Sequence, residues 1–355
     1  VQTCALPIFF FIALLEDSGY LARAVFIMDR LVRPFGLNGR SVVPLLSSLA
    51  CAIPGIMATR GIPNNKERII TIFVSPLMSC SARIPVFTLL IALVIPQTYL
   101  YGFIQLQGLV LFGLYLLGII AALLIAWILH VVLKQDRKSY YIMEIPSFKK
   151  PLWRNIGFMV YEKVKVFTLE AGSIILAISI ILWALANYGP NESRKNALKE
   201  LNQNDQYKNA TQEEKDNQKN AILLENSYIG ILGKTIEPAI KPIGYDWKIG
   251  ISLITSFAAR EVFVGSLSTI YSTGNDPDEK RLTDKLREQR FADGERVFTL
   301  KTGISLMVFY VFAMQCLSTL AVVKRETRSW KWPIIQLISF GTIAYIAAYF
   351  CFNLF

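Results

Sequence analysis

The chain has 355 residues, 53% of them hydrophobic and only 18% charged, against about 25% charged in soluble domains; an ordinary soluble globular protein is excluded. The net charge of +11 sits in short loops beside apolar windows, which is the positive-inside arrangement of a membrane protein and not the continuous basic face of a nucleic-acid binder. The five cysteines include no CxxC pair, and the single histidine, His130, ends an apolar window. Disulfide scaffolds, His-rich metal sites and catalytic histidines are therefore unsupported.

The chain opens Val1-Gln2-Thr3 and is apolar by Ala5, without a signal-peptide n-region. We expect a fragment that starts in a truncated transmembrane helix (1–15) and whose first eight or so residues, Cys4 included, carry no weight. Windows reaching the ~20 apolar residues needed to cross a bilayer include 69–95, 108–133, 166–187, 303–323 and 333–355. They predict an all-α, polytopic helical membrane protein.

A first unit over 16–95 reads as an amphipathic lead-in, a broken apolar segment and a spanning helix. In the lead-in, Leu21, Val25, Met28 and Leu31 fall at helical spacing with Arg23, Arg30 and Arg33 available to a polar side, and Pro34 and Gly36 stop it. Two breaks follow, at Cys51-Ala52-Ile53-Pro54 and at Met78-Ser79-Cys80-Ser81-Ala82-Arg83-Ile84-Pro85. Residues 96–222 hold two transmembrane helices, a basic loop and the polar stretch 191–220, which reads as an external loop without chemistry of its own.

A second unit over 223–325 repeats the first at an offset of 208: Arg33-Pro34-Phe35-Gly36 lies over Lys241-Pro242-Ile243-Gly244, and Leu45-Leu46-Ser47-Ser48 over Leu253-Ile254-Thr255-Ser256. After a polar insert, Met78-Ser79-Cys80 matches Met314-Gln315-Cys316. A C-terminal helix (326–355) completes the chain.

Charge bias orients the units. Loop 134–165 has eight Lys/Arg against three Asp/Glu and loop 324–331 four against one, so both are expected inside, while 190–248 and 273–301 are balanced and expected outside. If 41–58 and 249–270 are re-entrant, Arg60, Lys66 and Arg68 fall inside as well, and the two units become an inverted pair with two re-entrant broken helices.

Thiols beside broken helices suit a transition-metal ion, because freed carbonyls and soft ligands coincide. Cys80, Cys316 and Cys51 are the candidate metal ligands, against the ordinary reading of cysteine as a buried apolar residue. Glu261 is a candidate oxygen ligand, and Arg260 beside it a gating residue, against a salt bridge that holds the turn. Arg83 reads as a carbonyl or carboxylate partner. Ser79, Ser81 and Gln315 supply neutral oxygens or helix–helix hydrogen bonds. Glu16 and Asp17 collect cations at an inner mouth or cap a helix. Met78, Met314 and Cys351 read as packing. Gly230-Ile231-Leu232-Gly233-Lys234-Thr235 ends like a P-loop, but Tyr228 stands where the motif needs glycine.

Leu15-Glu16-Asp17-Ser18-Gly19-Tyr20-Leu21-Ala22-Arg23-Ala24, the Cys80 motif, Met143-Glu144-Ile145-Pro146, Phe257-Ala258-Ala259-Arg260-Glu261-Val262 and Gln315-Cys316-Leu317-Ser318-Thr319-Leu320-Ala321 stand out as long motifs. Through them, from about residue 9 to the end, the chain resembles the membrane domain of the bacterial ferrous iron transport protein B family. The resemblance implies Fe²⁺ uptake across the bacterial cytoplasmic membrane through two gate regions. An N-terminal GTP-binding domain and helical spacer, which this chain lacks, would be its partner and its only link to GTP. Membrane lipid, a small cytoplasmic accessory protein and further copies of the chain are the other expected partners; nucleic acid and enzymatic turnover are not expected. A gate-type transporter of a nucleoside or another divalent metal, and a non-conducting scaffold, are the alternatives.

Overall fold

The computed structural model describes residues 10–11, 13–15, 17–100, 104–133, 149, 151–190, 215, 219, 222–257, 260, 262–270, 283–284, 286–287 and 296–354. Helices make up nearly all of the regular structure. The exception is an antiparallel pair of two-residue strands, β1 (Tyr99–Leu100) and β2 (Ile104–Gln105), with Tyr99 opposite Gln105.

The lead-in helix α1 (Tyr20–Val32) follows Gly19 and runs into a 3₁₀ turn (Arg33–Phe35) that Gly36 ends at φ 75°. Its buried side is not the whole expected stripe. Leu21 and Val25 face the bundle, but Met28 and Leu31 point outward with Phe26 and Ile27. A bilayer accepts apolar groups outside, whereas Asp29 must turn inward: its Oδ1 accepts the Gly39 N–H at 2.7 Å, and its other oxygen pairs with Arg33. That bond fixes the turn into α2 (Gly39–Ala50), which Asn38 opens with a reciprocal capping box to Ser41.

Helix α2 stops at Cys51, which lies in extended backbone (φ −154°, ψ 138°) and also opens α3 (Ala52–Ala58). Pro54 explains the stop. It has no N–H to give Ala50, and its ring clashes with that carbonyl, so the helix cannot pass through. The two helices then fold against each other so closely that a Cβ on Gly55 would lie 2.0 Å from Ser48 Oγ. At 12 residues, α2 is about 18 Å long, short of the ~30 Å hydrocarbon thickness. The chain leaves this hairpin on the side where it came in: Asn38 Nδ2 donates to Glu67 Oε2 at 3.3 Å, and Thr71 and Ser41 hydroxyls meet at 2.9 Å.

Beyond it, α4 (Asn65–Val74), a 3₁₀ turn at Ser75–Leu77, extended residues 78–80, a second 3₁₀ turn at Ser81–Arg83 and α5 (Ile84–Val94) form one interrupted crossing. Helices α6 (Leu106–Val132) and α7 (Trp153–Asn187) follow; α7 takes in the end of the segment read from sequence as the loop 134–165. The second unit comprises α8 (Tyr228–Ile240), a 3₁₀ turn (Lys241–Ile243), α9 (Trp247–Ser256) and α10 (Val262–Ile270). It continues with α11 (Leu300–Phe312) and α12 (Leu317–Thr327), and α13 (Lys331–Leu354) closes the fold. The window 303–323 reads as one unbroken helix in sequence, yet residues 313–316 are non-helical. No proline marks that break. Helix α12 also runs on to Thr327, into the segment read as the loop 324–331.

Both bounds of α8 and of its 3₁₀ turn lie 208 residues beyond those of α1 and its turn, as does Gly244 (φ 79°) beyond Gly36. The related glycines sit at opposite ends of the bundle. Gly36 packs on His130, where α6 ends, and Gly244 on Phe352, where α13 ends. Helix α13 begins beside Glu326, at the Arg60 and Arg68 end, and α6 begins at the other end, where Gln107 Nε2 donates to the Ile95 carbonyl.

Four helical stretches are long and apolar enough to cross a membrane, Asn65–Val94, Leu106–Val132, Leu300–Thr327 and Lys331–Leu354; they match four of the windows read from sequence. Large apolar side chains such as Phe112, Trp127, Leu169, Trp183, Ile338 and Phe350 point outward, as lipid contact requires. The protein is a multi-pass helical membrane protein. Inside, one apolar cluster joins α5, α9, α10 and α11 around Phe87, Phe263 and Tyr310. A second joins α1, α2, α4 and α6 with Met78, Met314 and Phe340.

Two predictions follow from this packing. Gly36→Ala and Gly244→Ala each lower the melting temperature in detergent, since the new Cβ would lie 2.3 Å from His130 and from Phe352 at positive φ; a loss of about 1–3 kcal/mol is expected. Gly108→Ala, in open space, leaves stability unchanged or raises it. Glu326 accepts from Arg60 Nε at 2.9 Å and Arg68 Nη2 at 2.7 Å, its side chain only 3% exposed. Glu326→Gln should cost about 2–4 kcal/mol by leaving guanidinium charge uncompensated, with Arg68→Gln costing more than Arg60→Gln because Arg60 is half exposed.

Candidate functional site

Among the described residues, four helix interruptions are linked in pairs by hydrogen bonds to freed backbone carbonyls. The carbonyl of Ala50, released by Pro54, accepts the Ser81 hydroxyl at 3.1 Å. That bond ties the Cys51 break to the Cys80 break. The carbonyl of Phe257, at the end of α9, accepts the Leu317 N–H at 3.0 Å and ties the second hairpin to the Cys316 break. Across the two pairs, Arg260 Nη1 donates to Cys80 Sγ at 3.3 Å.

Cys80 is buried, while Cys51 and Cys316 are half-buried. All three stand in extended backbone at a helix start, where a side chain can reach into the gap between helix ends. Cys80, Cys316 and the Arg260 guanidinium each lie close enough to Cys51 to act on it electrostatically. Among the described residues, no three His, Cys, Asp or Glu side chains are arranged tightly enough to hold a metal ion.

The other predicted residues divide. Arg83, wholly buried, donates to the Ser79 hydroxyl at 3.0 Å and to the Leu77 and Pro76 carbonyls at 3.4 Å. It fills acceptors that the break after α4 leaves open, and it also faces the charge of Arg260 across Cys80. Gln315 is 1% exposed and sits against the buried Tyr310 hydroxyl. Asp17 lies away from the thiols; its Oδ2 accepts the Leu152 N–H at 2.7 Å, which holds the start of α7 against the first unit. Met78 and Met314 pack in the second apolar cluster. Glu16 and Glu261 lie outside the described residues.

Sequence reasoning missed several polar groups here. The Tyr310 and Ser318 hydroxyls are fully buried on either side of Gln315 in the chain, and Ser256 and Gln315 flank the Tyr310 hydroxyl. Gln336 on α13 donates to the Phe73 carbonyl at 2.8 Å and to the Ile72 carbonyl at 3.4 Å. Pro76 releases that Ile72 carbonyl. Fully buried polar side chains in apolar windows were the available signal.

The comparisons can now be set beside this geometry. The family model described as Gate, nucleoside recognition, matches residues 3–94 and 168–330, and the model for the ferrous iron transport protein B C terminus matches 111–163. A Leptospira biflexa protein named Fe(2+) transporter FeoB is 44% identical over 348 residues, which is 98% of this chain and 47% of that protein. A Porphyromonas gingivalis Fe(2+) transport protein A/Fe(2+) transporter FeoB fusion protein is 39% identical, over 98% of this chain and 42% of that protein. A Staphylococcus aureus Fe(2+) transporter FeoB is 32% identical over 98% and 45%. No solved structure matches. The chain spans about half the length of the curated relatives that it matches. It belongs to the Gate family and carries the ferrous iron transport protein B C-terminal region between its two Gate matches.

Proposed function

We propose that this chain is the ion-conducting membrane part of a ferrous iron uptake system in the bacterial cytoplasmic membrane. The observation that carries the reading is the convergence of four helix breaks on three thiols, in a chain whose relatives are named Fe(2+) transporters. Fe²⁺ is the cargo. Thiol sulfur and carbonyl oxygen replace part of its hydration shell at the breaks, as borderline and soft ligands suit a first-row cation. Transport, not catalysis, is the task of these residues.

The Gate units act as an inverted pair. Support comes from element bounds that recur at 208 residues and from related glycines at opposite ends of the bundle. The Asp17 contact to Leu152 and the Arg60–Glu326–Arg68 cluster mark the cytoplasmic end that the charge bias requires. GTP acts through a separate GTP-binding domain working on that end. A small accessory protein joins it, in keeping with the fused transport protein A of the Porphyromonas relative. Assembly of several copies belongs to the same reading.

Arg260 and Arg83 set the resting state. Each guanidinium about 5 Å from a dication opposes it by roughly 7 kcal/mol at an effective dielectric of ~20. The arrangement with Arg260 on Cys80 is the closed one, and Arg260 withdraws when the ion enters. Glu261, next along the chain, is the proposed oxygen ligand once Arg260 has moved. Gln315 and Ser79 offer oxygen around the thiols, and Ser81 holds the two breaks together.

Nucleoside transport is the second reading, favoured by the description of the Gate model. Proteoliposomes holding an Fe²⁺-quenched dye separate the two. Fe²⁺ influx should fall about tenfold or more in Cys80→Ser and in Cys316→Ser at unchanged protein content. Nucleoside influx that both substitutions leave intact, with no Fe²⁺ flux in the parent, overturns the iron reading; no flux of either kind indicates a scaffold. Arg260→Gln tests the closed state through protection of Cys80 from maleimide by Cd²⁺. Removing a competing cation should lower the half-protecting Cd²⁺ concentration about tenfold. A rise would mean that Arg260 positions the thiol for the metal instead of blocking it.

A further inference from the structure

At the cytoplasmic end a cleft of about 800 Å³ opens between the first unit, which supplies Arg60 and Arg68, and the end of α12, which supplies Arg325 and, just beyond it, Arg328. The lining thus sets four guanidiniums beside one carboxylate, Glu326. The Arg68 Nε is buried without a hydrogen-bond partner. Asn65, the first residue of α4, also lines the cleft, which adds the positive end of a ten-residue helix to the same space. Ile69 and Ile72 supply an apolar floor.

Arg328 points the same way from the backbone. Among the described residues it alone is a non-glycine at positive φ, 51° at the end of α12. Helices usually place glycine in that conformation. An arginine held there against its backbone preference is the kind of outlier that accompanies functional sites.

We propose that this cleft binds a phosphate-bearing anion. The volume exceeds what inorganic phosphate fills, and the apolar floor beside the guanidiniums suits the headgroup and glycerol region of an anionic phospholipid at the membrane surface. A bound phosphate shares Arg68 with Glu326, and so bears on the ion pairs that join the first unit to the end of α12. The inference is independent of which ion the pathway conducts.

The test is a thermal-shift titration of the full chain in non-ionic detergent with phosphatidylglycerol, phosphatidylcholine, inorganic phosphate and pyrophosphate as separate arms. Phosphatidylglycerol should raise the melting temperature saturably, and phosphatidylcholine should not. Arg328→Gly keeps the fold, because it relieves the positive φ, and should weaken the half-saturating concentration about fivefold or more. Arg325→Gln/Arg328→Gln should weaken it further, while Arg137→Gln/Lys138→Gln, an equal charge loss elsewhere in the basic loops, should not. A shift with phosphate or pyrophosphate alone, lost in the same variants, supports the site with a soluble source. No shift with any anion, a shift that the Arg328 variants retain, or one that the Arg137 control loses equally, overturns it.

Discussion

Backbone groups released inside an apolar bundle must find partners within the protein, because a bilayer supplies no water to take them. Among the described residues the chain breaks its helices four times within apolar segments, and the packing is organised around that debt. Pro54 frees the Ala50 carbonyl, and Ser81 takes it. Pro76 frees the Ile72 carbonyl, and Gln336 takes it together with that of Phe73. Arg83 holds the Pro76 and Leu77 carbonyls, and Leu317 donates to Phe257. Each bond joins elements distant in sequence or closes a break on itself, so satisfying the breaks and assembling the bundle are one event.

The same constraint places the chemistry. A residue at a helix start in extended backbone has its side chain released from the helical stack, and Cys51, Cys80 and Cys316 all occupy such positions. Three thiols therefore gather where backbone oxygens are already concentrated. Tyr310, Gln315 and Ser318 are further polar side chains buried in the same bundle, with Ser256 and Gln315 within hydrogen-bonding reach of the Tyr310 hydroxyl. Arg260 and Arg83 set positive charge beside Cys80.

Much of this was legible in the chain. The apolar windows match four of the crossings, and helices α1 and α8 have bounds that differ by the 208 residues of the sequence offset. Proline carries that legibility: its missing donor is a local covalent fact, so the breaks at Cys51 and Cys80 could be read directly. The break at 313–316 has no proline and is made by contacts with α9, so nothing local announces it. The outward turn of Met28 and Leu31 was equally hidden, since helical periodicity does not distinguish a core from a bilayer as the apolar partner.

By itself the sequence determined the helical membrane class, most of the apolar crossings and the proline breaks at Cys51 and Cys80, because these depend on composition, periodicity and proline. Only the tertiary structure decided which break meets which. That Ser81 reaches Ala50, Arg260 reaches Cys80 and Glu326 clamps Arg60 and Arg68 depends on side chains up to 266 residues apart. Such contacts follow from how the freed polar groups are shared once all the helices are present, and no local pattern encodes that sharing.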